Sequence, residues 1–251
     1  MKTLHQFDEV FDTQAVFRKV LEAMSNPTRT VSVAEQMEKL FGNHRAFLAL
    51  GMTLLDNEVT FSACGDADFR NDFQLVTLSQ EKAVSEADYL FVTDAKNLPE
   101  VLAQAKCGTL VDPHKSATLL IRDNGETTET MALYGPGIDG ETTFSCSSLV
   151  RQALELRDQQ EYEYPMGIDL IFVTDDGAVT CIPRLVRRRD AKFIERNEQR
   201  HRVGFFQLIG LHVRHALRIL RVEAQDADLE HAVLLVGGLL NISHFDVNLQ
   251  N

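Results

Sequence analysis

The stretch Tyr164-Pro165-Met166-Gly167-Ile168-Asp169-Leu170-Ile171-Phe172-Val173, closing at Cys181-Ile182-Pro183-Arg184, constrains the fold more than any other. It predicts a strand, an Asp176-Gly177 turn and a second strand, with an aspartate inside an apolar run and a proline–arginine exit. If the turn holds two residues, Asp175 faces Ala178, and counting outward sets Asp169 opposite Arg184. A longer loop that takes in Thr174 would shift the register and abolish that pairing. Two readings stand: an arginine oriented toward a phosphate or carboxylate, or a structural ion pair that fixes register. The structural one is favoured.

The rest of the chain alternates helices with short strands. Asp12 and Thr13 are expected to cap a helix over Gln14–Met24, which Asn26-Pro27 ends. A short strand is expected at Val31–Val33, a helix at Arg45–Leu55 and a strand at Glu58–Ser62. A helix over Asp68–Leu78 and a strand over Tyr89–Thr93 follow, then a helix over Leu98–Ala105 stopped by Gly108. Ala117–Arg122 and Glu129–Tyr134 are expected to pair as a hairpin across Asn124-Gly125, and Ser145–Gln160 to form a helix. This order implies an α/β sandwich with a mixed sheet over residues 1–186. Residues 187–251 form a second region, an expected helical extension with five of the eight histidines.

Charge narrows the partners. Through Leu185, 15 basic residues against 29 acidic ones leave −14, whereas 10 against 8 beyond it leave +2. An acidic body argues against nucleic-acid binding, which needs a basic face. The apolar stretch Val203–Val222 contains Arg214 and Arg218, so a packed helix is expected there and no membrane span. The acidic Met1–Asn26 does not read as a secretory signal, and Cys64, Cys107, Cys146 and Cys181 read as buried thiols of a cytoplasmic protein.

Few residues carry chemistry. Tyr134-Gly135-Pro136-Gly137-Ile138 is a tight turn after a strand that could approach an anion, although such turns are more often only turns. It lacks both the Walker ending and the dinucleotide-binding spacing. His212 and His215 have the spacing of two metal ligands but no third partner, so no metal site is expected. No serine-nucleophile signature is present. The run Arg184, Arg187, Arg188, Arg189 reads as a solvated connector sooner than a phosphate clamp. No catalytic residue is assigned; Tyr134, Gly135, Gly137, Asp169 and Arg184 are the candidate ligand or interface residues.

Together these features resemble the PhnH subunit of the carbon–phosphorus lyase system. The pieces are Phe17-Arg18, Ala23-Met24-Ser25-Asn26-Pro27, Leu54-Leu55-Asp56-Asn57-Glu58, Gly108-Thr109-Leu110 and Ala117-Thr118-Leu119. Gly135-Pro136-Gly137-Ile138, Tyr164 to Asp169 and Ile182-Pro183-Arg184 complete the set, which spans Asp12 to Val186 and leaves the rest uncovered. The resemblance implies a fold like the large domain of pyridoxal-phosphate (PLP) transferases, without that cofactor. It also implies a homodimer that assembles with PhnG, PhnI and PhnJ subunits. The complex makes α-D-ribose 1-methylphosphonate 5-triphosphate from ATP and a phosphonate, with ATP and magnesium as its substrate. The alternative is a freestanding anion- or nucleotide-binding module built on Gly135, Gly137 and Arg184. The family usually carries Pro-Gly where this chain has Pro27-Thr28, so that turn must avoid positive φ or accept strain.

Overall fold

The computed structural model describes residues 6–65 and 67–189. Seven strands form one mixed sheet in the order β1 (Thr30–Ser32), β9 (Ala178–Ile182), β8 (Asp169–Thr174), β5 (Thr118–Asp123), β4 (Tyr89–Val92), β2 (Thr60–Cys64) and β3 (Gln80–Glu81). The run from β8 to β3 is parallel, and β9 is antiparallel to both β8 and β1. A smaller antiparallel sheet contains β10 (Arg187–Arg188), β6 (Glu129–Tyr134) and β7 (Thr142–Cys146). Helices α1 (Phe11–Ser25), α3 (Arg45–Leu54) and α4 (Ala67–Val76) cover one face of the large sheet, with the short α2 (Ala34–Met37) beside them. On the other face lie α5 (Leu98–Gln104), α6 (Ser148–Asp158) and the small sheet. The α/β class with a mixed sheet is thus as the alternation of elements implied. Among the described residues, no helix is long and apolar enough to cross a membrane.

The expected hairpin between Ala117–Arg122 and Glu129–Tyr134 does not form. β5 instead lies between β4 and β8, parallel to both. The cause is burial: Leu119, Leu120 and Ile121 are all fully buried, so β5 must be covered on both faces. By contrast, β6 alternates, with Met131 and Leu133 buried beside half-exposed neighbours, which suits a sheet packed on one side only. Asn124-Gly125 therefore carries the chain from one sheet to the other.

Several boundaries also move. The helix expected over Ser145–Gln160 gives its first residues to β7, and Ser147 caps α6 by accepting from the Val150 N–H at 3.1 Å. The Ser147 hydroxyl donates to Asp123 at 2.6 Å, tying that cap to the end of β5. α1 starts earlier than expected because Asp8, not Asp12 or Thr13, accepts the N–H groups of Val10 and Phe11. Asp12 lies inside the helix and bonds Lys39 at 2.7 Å. α5 ends at an extended Ala105, without help from Gly108. The extension beyond residue 189, with His212, His215 and the Val203–Val222 segment, lies outside the described residues.

Core side chains divide by strand parity. Leu90, Val92, Leu119, Ile121, Leu170 and Phe172 face α5, α6 and the small sheet. On the opposite face, Phe73 sits with its ring centroid 4.5 Å from Phe91, 4.8 Å from Phe61 and 5.0 Å from Phe69. A Cβ on Gly51 of α3 would lie 2.0 Å from the Phe73 ring, so glycine at mid-helix lets the two meet. All four cysteines are free, but only Cys146 and Cys181 are buried as expected; Cys64 and Cys107, toward the ends of their segments, are half-buried.

Asp88 anchors the entrance to β4. Its carboxylate accepts from the Thr60 N–H and hydroxyl, each at 2.8 Å, and from Lys106 at 2.6 Å. Burial alone would raise this carboxyl, but Lys106 and the two Thr60 donors together hold it below its ordinary value. A depressed carboxyl stabilises the fold above the unfolded value and loses that contribution as pH falls through the folded one. Asp88→Asn is therefore expected to flatten the loss of stability below about pH 4, measured by urea unfolding across a pH series. An unchanged acid limb would contradict this assignment.

Candidate functional site

Asp169 opens β8, and Arg184 lies two residues past the end of β9. The hairpin register joins Leu170 to Ile182 and Val173 to Val179, which puts Asp169 opposite Pro183 and not opposite Arg184. The loop has three residues, 175–177, and Gly177, at φ +86°, returns its N–H to the Thr174 carbonyl at 3.0 Å. The register is thus shifted from the two-residue expectation, yet the ion pair survives. Beyond Pro183 the chain turns, with the Val186 N–H on the Pro183 carbonyl, and Arg184 folds back toward β8. Asp169 then accepts three donors: the Arg184 N–H at 2.7 Å, Nε at 3.1 Å and Nη2 at 2.6 Å. Arg184 also donates to the Pro113 carbonyl. Both residues are buried, at 0% exposure for Asp169 and 5% for Arg184.

Of the arginine run, Arg184 is buried and Arg187 and Arg188 are half-buried, so these three are not a solvated connector, whereas Arg189 is exposed. Arg187 and Arg188 pair with Tyr134 and Leu133 as β10, and the Arg189 N–H reaches the Ala132 carbonyl. Arg187 donates to the carbonyls of Arg184 and Val186. Burial, and then the charge of Arg157, push the Arg187 guanidinium down to about 10, which leaves it cationic at neutral pH. Arg157 was not singled out from the sequence, yet it is fully buried and donates to the carbonyls of Pro183 (3.3 Å) and Val186 (2.5 Å). The available signal was its position: Val150, Ala153, Leu154 and Arg157 form the buried stripe of α6.

Glycines set the close approaches. A Cβ on Gly135 would lie 2.8 Å from the Leu185 carbonyl and 2.9 Å from the Val186 Cα. One on Gly137 would lie 2.6 Å from Pro27 Cδ and 2.8 Å from the Ser25 carbonyl. A Cβ on Gly167 would lie 3.1 Å from the Arg184 Cβ, and the Gly167 N–H reaches the Cys107 carbonyl. Tyr134, Gly135, Asp169 and Arg184 therefore converge on the segment 184–187, while Gly137 closes against the exit of α1. The Asp169 carboxylate and the Arg184 guanidinium are met within the chain, by each other and by the Pro113 carbonyl. What the cluster does is hold the end of the large sheet, the small sheet and the α1 exit in one fixed arrangement.

At that exit, the Arg29 N–H reaches the Asn26 carbonyl at 3.0 Å and Thr28 has φ +76°. Pro27 at the second position and positive φ at the third make a type II turn, which prefers glycine at the third. This turn accepts strain. Thr28→Gly is expected to stabilise the protein by up to about 1 kcal/mol, since relief of left-handed strain outweighs the added chain entropy. A higher urea midpoint at unchanged m-value would show it, and a lower one would contradict it.

Residues 5–189 match the family described as bacterial phosphonate metabolism protein (PhnH). A putative C-P lyase subunit protein, HtxG from Stutzerimonas stutzeri, is 31% identical over 176 residues, covering 68% of this chain and 83% of the relative.

Proposed function

The chain belongs to the PhnH family of bacterial phosphonate metabolism proteins, and on that premise we propose that it is an accessory, non-catalytic subunit of a carbon–phosphorus lyase complex. In this reading it forms a homodimer in the cytoplasm and joins PhnG-, PhnI- and PhnJ-type subunits. With them it supports displacement of adenine from ATP by a phosphonate, giving α-D-ribose 1-methylphosphonate 5-triphosphate. ATP and magnesium enter as substrate of the assembled complex, and no cofactor resides in this chain. A body like the large domain of PLP transferases, without PLP, is part of the same reading.

One observation carries it beyond family membership. The residues of the family-like motifs pack on one another: Gly137 against Pro27, Gly135 against Leu185 and Val186, Gly167 and Asp169 against Arg184. Residues used this way fix a shape, which is what a scaffold subunit offers its partners. It also removes support from the freestanding module built on Gly135, Gly137 and Arg184. There, the glycine faces meet backbone, and Arg184 donates to Asp169 and Pro113.

The test is reconstitution. Adenine release from ATP and methylphosphonate is measured with PhnG-, PhnI- and PhnJ-type partners, with and without this chain. A strong dependence on the chain is expected; equal release without it rejects the proposal.

A further inference from the structure

A second polar region lies away from the motif cluster. A cleft of about 420 Å³ opens at the carboxyl ends of the parallel strands β5 and β8, lined by His44, Arg45, Arg122, Thr174 and Asp175 with the Gly42-Asn43 loop. In open α/β sheets, the crevice beyond the carboxyl ends of the strands is where ligands bind. Its volume falls in the range of small-molecule sites.

The cleft's charge is opposite to that of the chain. The protein carries −12 overall, yet two arginines and a histidine line this cleft against one carboxylate. Asp175 is already committed: it takes Arg122 Nε at 2.8 Å and Nη2 at 2.6 Å, which fixes that guanidinium across the two strands. Arg45, in contrast, forms no ion pair or hydrogen bond among the described residues, and is only half-exposed. The first turn of α3 begins at the same place, with no side-chain cap and no acidic residue, so its N–H groups add to the positive potential. Another cleft, beside β2 and β3, differs. There Arg70 and Lys82 face Glu81 and Glu100, and Arg70 pairs with Glu81 at 2.9 Å. That second cleft has no excess of cations.

We propose that the cleft between α3 and the ends of β5 and β8 binds a small phosphorus oxyanion, a phosphate ester or a phosphonate, with Arg45 as the principal ligand residue and Arg122 as its fixed companion. A guanidinium offers paired donors that match the oxygens of such a group. The choice of phosphorus over carboxylate rests on the phosphonate-metabolism reading, while the cleft's preference for an anion rests on its lining alone.

Calorimetric titration of the full chain with pyrophosphate, ATP and methylphosphonate, at constant ionic strength, tests this and separates the ligand sources. At least one probe is expected to bind, and Arg45→Gln should weaken it about tenfold to a hundredfold, the range of a charge-assisted hydrogen bond. Arg45 has no partner to lose among the described residues, so this variant should fold normally, as circular dichroism will show. Arg122→Gln should weaken the same probe, while Arg70→Gln in the other cleft should leave it unchanged. No binding by any probe, or equal binding by Arg45→Gln, overturns the assignment, as does loss of binding in Arg70→Gln alone. Adenine release by the reconstituted complex is a separate readout, so failure here leaves the accessory-subunit proposal standing.

Discussion

Replacing Asp169 by alanine is expected to cost about 3–5 kcal/mol of folding stability, the range for breaking a buried ion pair and leaving one charge without its partner. The loss would be a large share of the roughly 5–15 kcal/mol that usually holds a domain together. Asp169 is fully buried and accepts three donors from Arg184, so its removal strands both a guanidinium and a backbone N–H. The double variant Asp169→Leu with Arg184→Met separates these contributions. It removes the unpaired charge, and much of the loss should return because apolar replacement of a buried pair is often close to neutral. Recovery should be incomplete, since the N–H at position 184 still lacks its acceptor, at roughly 1–3 kcal/mol. Urea unfolding of the three proteins measures all of this. A double variant no better than the single one would show that the pair's contribution is not electrostatic.

Particular residues show which parts of the molecule could be read from sequence. The ion pair was legible because an aspartate in an apolar run and an arginine at a strand exit are each rare, and one hairpin brings them close. The register that justified it was not, because Gly177 at positive φ lengthens the turn by one residue. Local counting gave the right contact for an incomplete reason, and the turn beyond Pro183 supplied the rest. The partner of β5 was misread since Asn124-Gly125 is a strong local signal and strand pairing is decided by burial across the whole sheet. Arg187 and Arg188 looked solvated because charge runs usually are. Nothing local announces that Leu133 and Tyr134 wait opposite. The cleft beside α3 was invisible for a similar reason: His44, Arg122 and Asp175 lie far apart in sequence and meet only through the parallel order of β5 and β8.

Gly137→Ala is expected to approach the damage of losing Asp169, at about 1–4.6 kcal/mol net, because two effects combine. An alanine at φ +85° carries left-handed strain of about 1–2 kcal/mol. Its Cβ would also press on Pro27 Cδ and the Ser25 carbonyl, well inside contact distance, and overpacking of this kind costs about 1–3 kcal/mol. Reduced freedom of the unfolded chain offsets only about 0.4–1 kcal/mol. Gly140 supplies the control, because it too has positive φ, +69°, but an added Cβ there would meet nothing within 4 Å. Gly140→Ala should therefore show the strain without the clash, about 0–1.6 kcal/mol after the same offset. Adding Pro27→Ala to Gly137→Ala should return only part of the difference, since the Ser25 carbonyl is backbone and cannot swing aside. If Gly137→Ala and Gly140→Ala shift the urea midpoint equally, the turn is not packed against the α1 exit, and the rigid arrangement argued for a scaffold subunit loses its physical basis.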